Sequence, residues 1–202
     1  MATNQVFTLS SFIRLCQLDT DQKIAAIDKK INGGASYNFY QSLTRAIRAH
    51  LAGESSDVVD DILQSPTNAV EREYNTAAYQ GFSERYASKR KIEAIKRPRT
   101  YDIPGHNISI ACDPLFLTVE KDTSWVHSIW AARTPQLQRK YAAVGCLLLR
   151  ECYRSTALAN STFAIANLTN GSRTGEKSVS NTTRAILRSD ASTIANLIAD
   201  VS

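Results

Sequence analysis

"ISIACDPLFLTVEKDTSWVHSIWAAR", residues 108–133, is the stretch on which the fold turns. Ile108, Ile110 and Cys112 alternate with small or polar residues, the period of two expected of a half-buried strand. Pro114 lacks a donor for a sheet ladder and so breaks or bends that strand. "LFLTVE", residues 115–120, reads as a second strand, Lys121 to Ser124 as a turn, and "WVHSIWA", residues 125–131, as a third. The expectation is a three-stranded meander. Asp113 stands alone among apolar residues at the end of its first strand, as a metal-facing carboxylate would. Asp before Pro is also a common turn opener, and the sequence leaves both readings open.

Downstream, "TPQLQRKYAAVGCLLLRECYRS" predicts a helix capped by Thr134, with Pro135 in its first turn and Leu137, Tyr141, Val144, Leu148 and Cys152 on one face. "STFAIANLT" predicts a further strand, Asn170-Gly171 a turn and "GEKSV" a short fifth strand or loop. A closing helix or helix pair follows. Upstream, residues 66–96 read as the longest helix, with Val70, Tyr74, Ala77, Ala78, Gly81, Phe82 and Tyr86 as its apolar stripe. Residues 1–65 read as four short helices: the first capped by Ser10 or Ser11, the second stopped at Gly33-Gly34, the third ending at Gly53. The fold class expected is α+β, or mixed α/β. A small central mixed sheet of four to five strands, a meander followed by a helix and a further strand, is flanked by helices. Residues 1–65 form a helical extension packed on a core of residues 66–202.

The 202 residues are long enough for such a core, and 43% hydrophobic with 21% charged residues is ordinary globular composition. The net charge of +5 is unevenly spread. Residues 66–105 hold 8 Lys/Arg against 5 Asp/Glu and residues 133–202 hold 9 against 4, whereas residues 106–132 hold 1 against 3. Basic flanks around an acidic centre admit DNA or RNA as a partner. The densest run is Lys89, Arg90, Lys91, Lys96, Arg97 and Arg99, either a solvated helix end or a phosphate-binding patch. The four cysteines lack zinc-site spacing and read as buried free thiols of a reducing, cytoplasmic compartment. No signal peptide or membrane span is expected.

The order and spacing of residues 67–168 resemble the PD-(D/E)XK nuclease superfamily, in its RecB-like branch. That resemblance implies a helix bearing a glutamate, a strand ending near a metal-binding aspartate, a second strand, a third carrying Glu/Asp-x-Lys, then a helix and another strand. Glu71 or Glu73 matches the helix glutamate, Asp113 the metal aspartate, and Gln136, Gln138 or Tyr141 the later helix motif. The third strand departs from the pattern: Ser128 stands where the carboxylate belongs and Trp130 where the lysine belongs. Phosphodiester hydrolysis needs Mg²⁺ held by carboxylates and a cation for the developing charge, and neither residue supplies these. Two readings result. In the first, the chain keeps a nuclease-like sheet, holds no cofactor, and works by binding a protein or nucleic-acid partner. In the alternative, it is a divergent Mg²⁺-dependent nuclease using Glu71, Asp113, Glu120 and Lys121.

Overall fold

A computed structural model describes residues 4–33, 38–89 and 91–201. Among them the chain forms two mixed sheets covered by helices, and the α+β class expected from the sequence is the class observed. The elements run β1 (Gln5–Thr8), α1 (Leu9–Gln17), α2 (Thr20–Asn32), α3 (Gln41–Leu51), α4 (Ser56–Gln64) and α5 (Ala69–Phe82). Then come β2 (Ile92–Ala94), β3 (Arg99–Asp102), β4 (Ile108–Cys112), β5 (Phe116–Glu120), β6 (Thr123–Trp130) and α6 (Arg139–Tyr153). The chain closes with β7 (Thr162–Asn167), β8 (Arg173–Gly175) and α7 (Asn181–Val201).

The larger sheet has the order β2-β5-β6-β7-β8. It is a five-stranded mixed sheet with a meander, a helix and a further strand, but the first strand of the meander is β2. The expected one, residues 108–112, is β4 and belongs to the other sheet, of order β1-β4-β3. The switch falls at Asp113-Pro114, where the chain leaves one sheet and enters the other. β4 is not the half-buried strand its period of two suggests. Ser109 is only 1% exposed, and its hydroxyl is bonded to the Asn4 side chain at 2.7 Å and to Asp102. That polar pairing lets β4 run between two partners with four of its five residues buried.

Several boundaries move for the same reason, that tertiary partners outrank local propensity. Residues 5–8 form β1, parallel to β4, where only helices were expected; Thr8 then caps α1 through its side chain, in place of Ser10 or Ser11. The helix expected over 66–96 stops after a π-helical turn at Ser83–Ala87. The chain beyond it is claimed by the sheet: Ile92 to Ala94 pair with Thr118 to Phe116, and Ile95 is buried. The longest helix is α7. α6 begins at Arg139, not beside Thr134-Pro135, a cis peptide. The N–H of its cap residue Gln138 is taken by the Gln17 side chain at 2.9 Å. The fifth strand is Arg173–Gly175, followed by a single 3₁₀ turn. Gly34 and Arg90 lie outside the described residues.

Two apolar clusters sandwich the larger sheet. On one face Phe82, Tyr86, Phe116, Ala166 and Leu168 join α5 and α3. On the other, Val126, Trp130, Phe163 and Ile165 join α6, α1, α7 and the smaller sheet. Arg150 on α6 ties the bottom of this layer, with a bidentate pair to Glu176 at 2.6 Å and bonds to the carbonyls of Ala159 and Ser161. Among the described residues no helix is long and apolar enough to cross a membrane.

Candidate functional site

β2, β6 and β7 run in one direction and β5 and β8 in the other. The segments that follow β2, β6 and β7 therefore leave one end of the sheet, where the segment entering β5 also lies. Parallel strands with a helical crossover leave a crevice at their carboxyl ends, the usual place for ligands in such sheets. That crevice exists here. Two adjoining depressions of about 340 and 480 Å³ lie between α5 and the residues following β6 and β7. Tyr74, Arg133, Gln136 and Asn167 line the first. Gln80, Glu84, Arg85 and Gly171 line the second, and Leu168, Thr169 and Asn170 border both.

Each wall has a local cause. Gly81 lets α5 come down on the loop, because a Cβ there would collide with the Leu168 carbonyl. Asn167 accepts the backbone N–H of Thr169 at 3.0 Å, and Asn170 that of Ser172 at 3.0 Å. These Asx turns hold the loop open towards α5. Arg133 lies with its guanidinium carbon 4.0 Å from the Tyr74 ring centroid and pairs with Glu73 at 3.6 Å. Tyr40 stands close by, its phenol pushed up by burial against the opposing pull of Arg14 and Arg133.

Lys96 and Arg97 follow β2 at the same end of the sheet, two strand spacings or about 10 Å from β6. Lys91, Lys96, Arg97 and Arg99 are all exposed and none makes an ion pair among the described residues. Lys89 differs, because it is half-buried and bound to Glu120 at 3.0 Å.

The four residues of the nuclease alternative are not gathered. Asp113 sits at the crevice end of β5, bound to Arg48 at 2.6 Å. Glu120 and Lys121 lie at the far end of that strand, some 13 Å of strand away. Burial works to raise the Glu120 carboxyl, but bonds from Lys89 and Arg173 hold it below the usual range. Lys121 and Asp122 are turn residues with positive φ. Glu71 is buried on the stripe of α5 that continues through Asn75, whose amide donates to the Phe39 carbonyl and the Ser42 hydroxyl. Among the described residues no group of three or more His, Cys, Asp or Glu side chains is placed to hold a metal.

Ser128 and Trp130 are buried on the α6 side, where Trp130 donates to the Ala132 carbonyl at 2.8 Å. His127, on the opposite face, is fully buried. It shares a 2.9 Å hydrogen bond with Thr118 and stacks on Phe116 with centroids 4.7 Å apart.

The sequence pointed to Gln136 through the later helix motif, but Tyr74 read as part of an apolar stripe and Asn170-Gly171 as turn chemistry alone. The available signal was position: in a β–α–β unit, residues just past each parallel strand meet. Comparison with protein families and with curated proteins finds no match to this chain.

Proposed function

We propose that this chain is a non-catalytic protein of restriction-endonuclease-like fold that acts by binding nucleic acid at the crevice end of its larger sheet. The observation that carries the reading is the run of four exposed cations, Lys91, Lys96, Arg97 and Arg99, which make no ion pair among the described residues and whose middle members leave that end beside the crevice. Phosphates reward such a row, since each contact releases a counterion. Arg133 and the loop amides extend the same surface with hydrogen-bonding groups that suit base edges or sugars.

The nuclease-like part of the proposal draws support from element order. α5, the meander β2-β5-β6, α6 and β7 follow the order the resemblance implies, with β3 and β4 inserted before the second strand, although the first strand then ends at Ala94 and not beside Asp113. The non-catalytic part draws support from the scattered carboxylates and from buried Ser128 and Trp130. Mg²⁺ is held through one or two carboxylates free to bind it, and Asp113 spends its charge on Arg48.

Fluorescence anisotropy with labelled single- and double-stranded oligonucleotides, across a salt series, tests the binding. Affinity should fall steeply with salt, and Lys96→Ala with Arg97→Ala should weaken it and lower the salt slope by about 1 per lost contact. Incubation with Mg²⁺ or Mn²⁺ should leave the oligonucleotides intact. Cleavage abolished by Asp113→Ala would establish an enzyme instead, and salt-independent binding would remove the phosphate-led interaction.

A further inference from the structure

The last residue of β7 brings two unused donors to the crevice. Asn167 is only 4% exposed. Its side-chain oxygen is fully engaged: the backbone N–H of Thr169 donates to it at 3.0 Å and the Thr169 hydroxyl at 2.7 Å. A backbone N–H needs an acceptor, so this contact fixes which end of the amide is the oxygen. The amide nitrogen donates to no group among the described residues, and Asn167 lines the first depression. Buried polar groups are nearly always partnered, so these donors call for an acceptor from outside the chain.

Arg133 lines the same depression. Its guanidinium lies over the Tyr74 ring, 4.0 Å from the centroid, and Glu73 pairs with it at 3.6 Å. The side chain is nevertheless 44% exposed. A guanidinium braced on a ring in this way is a platform for an unstacked base. The space beside it, about 340 Å³, is in the size class of small-ligand sites.

We infer that the first depression receives one unpaired base of a bound single strand, which lies on the Arg133–Tyr74 platform and sets a keto oxygen against the Asn167 amide. This rests on the reading of the chain as a nucleic-acid binder and adds the kind of base it selects. A site offering donors alone takes the O4 of thymine or uracil and the O6 of guanine. It turns away the amino groups of cytosine and adenine, because donor would then face donor. Lys96 and Arg97, at the same end of the sheet, take the phosphates of the strand.

Fluorescence anisotropy with labelled oligo-dU and oligo-dC of equal length tests this on the natural chain. The two strands carry equal charge and differ along the base edge. Oligo-dU should bind about tenfold more tightly. Asn167→Asp keeps the oxygen that holds Thr169 but puts an acceptor where the donors were, so it should reverse the preference. Arg133→Lys keeps the charge and loses the plane. It should weaken both strands by about fivefold or more and leave the salt slope unchanged. Salt-dependent binding with equal affinity for the two strands would overturn the base selection and leave the nucleic-acid reading standing. No binding of either strand would overturn both. Displacement of oligo-dU by an equal concentration of uridine monophosphate would overturn the strand as the ligand, in favour of a free nucleotide. The comparison on the natural chain decides the matter even where a variant fails to fold.

Discussion

His127 shows what burying one titratable ring does to this molecule. An isolated strand histidine reads from sequence as a packing residue, and it is packed here between Phe116 and Tyr86. Burial, aided by Arg173, drops its pKa from 6.5 to about 3. The unfolded chain therefore binds a proton below pH 6.5 that the folded chain refuses until about pH 3. Stability should be full above pH 6.5 and fall as pH drops, by about 1.4 kcal/mol per unit once the unfolded histidine is protonated. Urea denaturation between pH 6.5 and 5, above the range of ordinary carboxylates, reads this slope. His127→Phe, which keeps the ring against Phe116, should flatten the slope there. Ser128 and Trp130 were equally legible: neither supplies a carboxylate for Mg²⁺ or a cation for a phosphate, wherever the strand lies.

Elements were legible in kind more than in extent. α5 begins at Ala69, three residues later than the expected start at 66, with the Asn68 side chain bonded to the N–H groups of Val70 and Glu71. Its end was not legible, since "SKRKIEAIKR" contains neither Gly nor Pro. What stops the helix is β5, which offers an edge that Ile92 to Ala94 complete. Gly81 marks the other tertiary demand on α5. Gly→Ala inside a helix ordinarily gains about 1 kcal/mol, but here the new methyl meets the Leu168 backbone. Gly81→Ala should instead destabilise by about 1–3 kcal/mol, the usual cost of overpacking, seen as a lower urea midpoint. Gly145→Ala is the contrast, because its new methyl would meet the movable tips of Ile13 and Ile165. Its cost should be smaller.

Residues 5–17 are built into both layers, because β1 pairs with β4 along four residues while α1 packs on α6. Phe7, Leu9, Phe12, Ile13, Leu15 and Cys16 are all buried in the cluster that holds Trp130 and Phe163. Deleting residues 1–18 should therefore abolish cooperative unfolding, not merely trim an appendage. Thermal denaturation followed by circular dichroism should show a broad, sloping signal, and a sharp transition near that of the full chain would contradict this.

Period, composition and capping are local properties, so the sequence by itself determined the α+β class, the presence of strands near 108–112, 115–120 and 125–131, and the absence of a carboxylate–lysine pair from the third of them. Backbone hydrogen bonds carry no record of which strand they will meet, and partners are chosen by burial across the whole chain. Only the tertiary structure could therefore send β4 to β1 and β3, bring β2 into the meander, part Asp113 from Glu120, and set Arg133 beside Asn167.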